Sequence, residues 1–418
     1  MRKGGFFPLW QGSRKGRAVS AGLSLMMAYA FISNTFGFFV LPVSEELEIP
    51  RASFTLYFSI LSVVGMAAAP LTAALIRRLP LYVLISSGLV VGTGSFLALS
   101  MADSIRVFYI TALVFGLVQQ STTSVVAVAA VDRAYDGNNG GAMGIVMTGT
   151  GIISMTMSLL LPRFINLYSW RAGYRLQATL WALFMLYAAI ALYEKRPDKL
   201  HPMNSREENS LVTGAGWKRA LHSPVFYLLF LIIAVSCVCS IFIHHLPAYY
   251  SERGMDPVVA GRVVAVFNVA MIFSKLLIGW LYERIGPVFT AGLTLALLAV
   301  GPLLRGLDGF WTIIIGTVFF AIGIPAVTVI FPLIARHVFG GRDFGSIWSV
   351  LSMAVSLGTA AGSPLWGALY DRTGSYSSGM LAIPVLTLIA AVGLVCAAAH
   401  KYPWSNETTG TNVPVKVA

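Results

Sequence analysis

The chain has 418 residues, 57% of them hydrophobic and only 11% charged, where a soluble domain carries about 25% charged residues. This is the composition of an integral membrane protein. The formal net charge of +12 therefore points to basic loops on the cytoplasmic side of a membrane, not to nucleic acid. Cys237, Cys239 and Cys396 all fall in apolar stretches. Cys237 and Cys239, two apart, point to different helix faces, so the cysteines read as small apolar core residues with no disulfide or metal site.

Residues 1–17 form a basic tail, MRKGGFFPLWQGSRKGR. The apolar stretch that follows runs about 25 residues without a small-residue cleavage site, which predicts a retained first helix and not a removed signal. Twelve apolar spans can be drawn, at approximately 18–42, 54–76, 81–102, 105–131, 141–165, 170–193, 224–248, 258–282, 287–305, 309–336, 344–370 and 377–400. Lipid offers no partner to an open strand edge, so each is expected to be a helix. Short connections make successive helices antiparallel. The long polar connection 194–223 divides the chain into a six-helix bundle over 18–193 and a second over 224–400, with a tail over 401–418. The N-terminal tail, the connections on its side and the C-terminal tail hold about 19 Lys and Arg, against about 7 on the opposite side. Both termini are thus predicted to be cytoplasmic, in a bacterial inner or plasma membrane. The sequon at Asn406 falls on that side and is discounted.

Polar residues inside the spans mark a possible central cavity. In chain order they are Tyr29 and Asn34 in span 1, Gln119 and Gln120 in span 4, Asn268 in span 8, and Ser352 and Ser356 in span 11. Each can hydrogen-bond a carboxylate or hydroxyl, or equally join two helices; Gln119 and Gln120, being adjacent, cannot both face the cavity. His244 and His245, near the outer end of span 7, are candidates for a coupling proton, or interfacial residues without such a role. The acidic run Glu45, Glu46 and Glu48 reads as a solvated outer loop.

Lys275 stands apart, because no other span carries a Lys or Arg so far from its ends. Its insertion cost is roughly 3 kcal/mol, so it is expected to face the protein interior or a water-filled cavity. It lies about five residues, or about 7 Å, past the middle of its span, and snorkelling to the inner headgroups is the alternative. No Asp or Glu falls deep in any span, since Asp132, Glu283 and Asp371 sit at helix ends. An unpaired ammonium sheds its proton or recruits an anion, which makes an anionic substrate the candidate counter-ion.

The two halves resemble each other. Ala73-Ala-Leu-Ile-Arg77-Arg78-Leu-Pro80 corresponds to Gly279-Trp-Leu-Tyr-Glu283-Arg284-Ile-Gly286 at an offset of 206, Arg133 to Arg336 at 203, and Pro162 to Pro364 at 202. Three ordered matches argue for a duplicated six-helix unit, an architecture of secondary transporters. Gly144, Gly149 and Gly151 in span 5, and Gly358, Gly362 and Gly367 in span 11, permit close helix approach.

The tract from Gly279 to Gly286 resembles the G-x-x-x-D-R-x-G signature of the major facilitator superfamily, with Glu283 in place of Asp. The resemblance covers residues 18–400 and implies an all-α fold of twelve transmembrane helices in two pseudo-symmetric bundles. It also implies a conformational role for Gly279, Glu283, Arg284 and Gly286, and for Asp371 and Arg372 at the exit of span 11. The first-half copy has lost the acid and the final Gly. Within the superfamily, FFVLPVSEELEIPRASFTLYFS, GAMGIVMTGTGI, HHLPAYYSERGMDPVVAG and FGSIWSVLSMAVSLGTAAGSPLWGALYDRTGSY resemble the monocarboxylate-transporter and oxalate:formate-antiporter branch. That branch commonly has an Arg in span 8 that meets the substrate carboxylate, and Lys275 stands at the matching position. Lys keeps the charge and loses the bidentate fork. Span 11 has no lysine, and Met271 replaces the Asp often found one turn before the cation.

No catalytic motif and no cofactor or metal site is apparent. The expected protein is a monomeric secondary transporter in the lipid bilayer, moving a small organic anion, a mono- or dicarboxylate, by proton symport or anion exchange. The alternative is an exporter of neutral or cationic compounds with Lys275 structural. A transport-like sensor would need an output domain larger than these tails.

Overall fold

The computed structural model describes residues 14–119, 124–135, 140–193, 215–307, 309–325, 330–340 and 343–399. Gln120, residues 1–13 and 400–418, and most of the connection 194–223 lie outside them. The first half contains α1 (Arg14–Ser33), α2 (Gly37–Glu46), α3 (Arg51–Arg78), α4 (Leu81–Ser100), α5 (Ile105–Gln119), α6 (Ser124–Ala134), α7 (Gly140–Leu167) and α8 (Trp170–Ala191). A short α9 (Trp217–Leu221) precedes the second half. That half contains α10 (Pro224–Ser240), a 3₁₀ turn (Ile241–His245), α11 (Leu246–Glu252), α12 (Pro257–Ile285), α13 (Pro287–Gly306), α14 (Phe310–Gly323), α15 (Phe331–Phe339), α16 (Phe344–Thr373) and α17 (Ser377–Ala399). Among the described residues, nine stretches are long and apolar enough to cross a membrane, and two shorter apolar helices, α5 and α14, accompany them. With α8, 22 residues long, they fit the twelve expected passages.

Packing repeats from one half to the other. In the first bundle α1 packs on α7 and α8, α4 on α8 and α5, and α3 on α5. In the second, α10 packs on α16 and α17, α13 on α17 and α14, and α12 on α14. These are the same pairings between corresponding spans, so the duplication read from the sequence is present in three dimensions. Two seams join the bundles, α3 against α16 and α7 against α12. We call the end of the molecule that holds Arg14 and the α12–α13 corner the terminal face, and the opposite end the far face.

The first span of each bundle is broken. At the end of α1, Ser33 and Thr35 turn their hydroxyls onto the carbonyls of Tyr29 (3.2 Å) and Phe31 (2.7 Å). Such side chains compete with the helical ladder, and the helix resumes at Gly37. The second bundle breaks at the 3₁₀ turn. A Leu-Pro pair follows each break, at Leu41-Pro42 and Leu246-Pro247, 205 residues apart. Proline supplies no N–H to the ladder, so Pro247 leaves the Ile243 carbonyl of the second break without its α-helical donor, whereas Pro42 lies within α2, past the first break.

Candidate functional site

The bundles are bound together toward the far face, and two prolines set part of that contact. Pro364 lies inside α16 and cannot donate to the carbonyl of Ala360, four residues back. Ser59 of α3 donates its hydroxyl to that carbonyl from the other bundle. Pro162 inside α7 likewise frees the carbonyl of Ser158, and Gly261 of α12 packs directly on it. At the far end of α3, Asp371 of α16 accepts from the backbone N–H of Arg51 (3.0 Å) and of Ala52 (2.9 Å). This carboxylate caps an orphan helix N-terminus in the opposite bundle, a favourable placement for negative charge. The Arg51 guanidinium lies 3.6 Å from the centroid of the Tyr370 ring, a cation–π contact between the bundles.

The two helix breaks face each other across this junction. Nε2 of His244 is 3.0 Å from the Ser33 carbonyl. Gly37 lies so close to the His244 backbone that a Cβ would stand 2.5 Å from its carbonyl oxygen. Nδ1 of His245 is 3.0 Å from the Tyr376 hydroxyl, and its Nε2 is 2.9 Å from the Ser363 carbonyl. Both histidines are buried. His244 bonds across to the first bundle, whereas the partners of His245 both lie within the second.

Halfway along the α7–α12 seam is a polar plug. Asn268 donates to the Ser158 hydroxyl (2.9 Å) and the Ser154 carbonyl (3.3 Å) of α7. Asn34 donates to the Ser154 hydroxyl (2.5 Å) from the other side. Gly261, Asn268, Ile272, Lys275 and Gly279 share one face of α12, at helical spacings of seven, four, three and four. The first three touch α7, Ile272 against Gly151. From Lys275 onward this changes: its side chain is exposed, and a Cβ on Gly279 would have nothing within 4 Å. The α3–α16 seam parts in the same way. Gly367 and Ala360 touch α3, Ser356 is half-buried, Met353 and Ser349 are exposed, and Gly345 again meets open space. A cleft thus opens between the bundles toward the terminal face, and Lys275 lies where it begins. Among the described residues Lys275 has no hydrogen-bond or ion-pair partner.

The remaining predicted residues fall in different places. Tyr29 is half-buried on α1, and Ser352 is half-buried on α16 with its hydroxyl bonded to the Ser349 carbonyl at 2.8 Å. Gln119 is buried and donates to the Leu61 carbonyl at 2.9 Å inside the first bundle. Arg284 stacks over Trp280 at 4.6 Å, Glu283 and Arg372 are exposed, and Gly286 turns the chain from α12 to α13 at φ 81°, a conformation suited to glycine. Of the predicted conformational residues, Asp371 is the one that clamps the bundles. Arg51, Ser59, Ser154 and Ser158 went unnoticed in the sequence, although Pro162 and Pro364 signalled two of the sites through the carbonyls they release.

A family model described as Major Facilitator Superfamily matches residues 21–289 and 251–416. The chain is 26% identical over 387 residues to monocarboxylate transporter 13 of Rattus norvegicus, covering 88% of this chain and 85% of that protein. It is 23% identical to MFS-type transporter 1 of an Ophiocordyceps species, covering 78% and 76%. The bacterial homologue of the human lysosomal transporter Spinster, in an inward-facing, unoccupied conformation, superposes with a TM-score of 0.73 at 16% identity over 93% of this chain and 98% of that one. The nucleoside transporter NupG superposes with a TM-score of 0.69 at 11% identity, covering 92% and 98%. Matched along nearly its whole length, the chain is an integral-membrane transporter, not an enzyme, and belongs to the Major Facilitator Superfamily.

Proposed function

We propose that this transporter moves a small organic anion, a mono- or dicarboxylate, by alternating access, in proton symport or anion exchange. The observation that carries this reading is the unpartnered Lys275 at the inner end of the inter-bundle cleft. An ammonium at that depth gains from an anion that enters with the substrate and leaves with it. Ser356 and Tyr29 are the hydrogen-bonding residues we assign beside it, with Asn34 and Asn268 closing the cleft above. The names of the monocarboxylate-transporter relatives agree with this chemistry. With both termini cytoplasmic, the cleft opens inward.

The test is uptake of labelled mono- and dicarboxylates into proteoliposomes, with and without an inward proton gradient. We expect Lys275→Ala to lower uptake at least tenfold and Lys275→Arg, which keeps the charge, to retain part of it. Wild-type uptake by Lys275→Ala would sink the anion reading and favour export of neutral or cationic compounds.

A further inference from the structure

The two ring nitrogens of His244 are in unequal positions. Nε2 meets the Ser33 carbonyl, which only accepts, so Nε2 carries the hydrogen. Nδ1 is enclosed and meets no partner. The rings of Phe36 and Phe58 stand edge-on to the imidazole, at 5.4 Å and 4.2 Å between centroids. His245 differs, because both its nitrogens are engaged, and the Tyr376 hydroxyl can turn from donor to acceptor if Nδ1 gains a proton. At His244 nothing stands ready to accept. A proton placed there in the closed gate is a buried, ionised donor without a partner, which is strongly unfavourable.

The charged groups on the packed elements give no relief. Glu46 of α2 is held by Trp170 and Arg171, and Glu45 beside it is exposed. Asp371 of α16 is spent on the α3 amides, and Glu252 of α11 on Ser375 and the Tyr376 N–H. Arg51 of α3 and Arg372 of α16 are cations and oppose a second positive charge. Arg14, Lys15 and Arg17 of α1 and Arg77 and Arg78 of α3 lie at the opposite ends of those helices and are likewise cations. The other titratable side chains on these elements are Tyr29 of α1, Tyr57 of α3, Tyr227, Cys237 and Cys239 of α10, Tyr249 and Tyr250 of α11, and Tyr370 of α16. They carry no charge at neutral pH in their ordinary state.

We propose that His244 is a proton-binding site occluded by the far gate: Nδ1 takes a proton from the far-face solution only when the bundles have parted there, and the bound proton holds that gate open. The inference needs the alternating-access part of the transport reading and is independent of the substrate. Because a proton that binds one state draws the equilibrium toward it, acid on the far side favours the far-open state. For a histidine of ordinary affinity, about 6.5, the shift at pH 5 is up to about thirty-fold.

Distance measurement by pulsed electron resonance in lipid nanodiscs tests this on the full chain without any transport substrate. Labels go on Tyr168→Cys and Leu307→Cys, which are exposed at the far ends of the two bundles. Cys237 and Cys239 are buried and stay in place; Cys396 is replaced by Ala. Between pH 8 and pH 5 the ratio of long to short far-face distances should rise by up to about thirty-fold. His244→Gln, whose amide still donates to Ser33 but takes no proton, should be flat, and His245→Gln should still respond. An unchanging distance in the wild type, or a full response in His244→Gln, overturns the proposal, and the wild-type titration decides alone if the variant does not fold. Lys275→Ala uptake fails or succeeds separately, so the two readings fall independently.

Discussion

Arg305 and Lys275 are both cations within apolar helices, and their surroundings separate them. Lys275 opens onto a cleft that can admit water and a ligand. Arg305 is fully enclosed in α13, its Nε, Nη1 and Nη2 without hydrogen-bond partners and its guanidinium 4.3 Å from the centroid of the Phe320 ring. Stacking on an aromatic ring recovers only part of the desolvation cost of such a charge. The bond from the Tyr249 hydroxyl goes to the Arg305 backbone carbonyl at 2.9 Å and does not need the side chain. Arg305→Met, of similar length and without charge, should therefore stabilise the protein by about 1–4 kcal/mol, read as a higher thermal unfolding midpoint in detergent. A lower midpoint would show that the guanidinium has a counter-charge in the bilayer.

At the level of single helices, α16 is a rod whose far half is clamped and whose terminal half is free, and Pro364 marks part of the clamp. Pro364→Ala restores an N–H that can close on the Ala360 carbonyl, so the Ser59 hydroxyl loses its acceptor. One hydrogen bond between bundles is worth about 0.5–1.5 kcal/mol. The far-closed population should fall by up to about tenfold, measurable with the Tyr168 and Leu307 labels; an unchanged distribution would mean that Ser59 finds another acceptor. Helices of this kind were legible in the sequence because lipid leaves an apolar run one choice of structure, and the matching prolines revealed the duplication. The partners were not legible. Gln119 and Asn268 look alike as single amides in apolar spans, yet one bonds within a bundle and the other across the seam, and which face meets which helix depends on three-dimensional packing. Lys275 could be singled out because charge at that depth is costly wherever it points. That its face of α12 runs from packed to open could not, because the parting of the seams belongs to one conformation and not to the chain.

For the molecule as a whole, the junction of the two helix breaks is the point about which opening must be judged. Any side chain on Gly37 enters the space of the His244 carbonyl, while the rest of each bundle is untouched. Gly37→Val should hold the far face apart and abolish transport with Lys275 intact; short far-face distances in that variant would show that the junction can yield. The same junction carries a constraint of symmetry. Two copies of one unit meeting about a twofold axis present like to like, so an exposed carbonyl would face an exposed carbonyl, and two acceptors repel. An imidazole on one copy opposite a bare carbonyl on the other turns that mismatch into a bond, and a glycine opposite the backbone of that histidine makes room for it. At this junction the halves keep one backbone plan while their sequences have ceased to be copies.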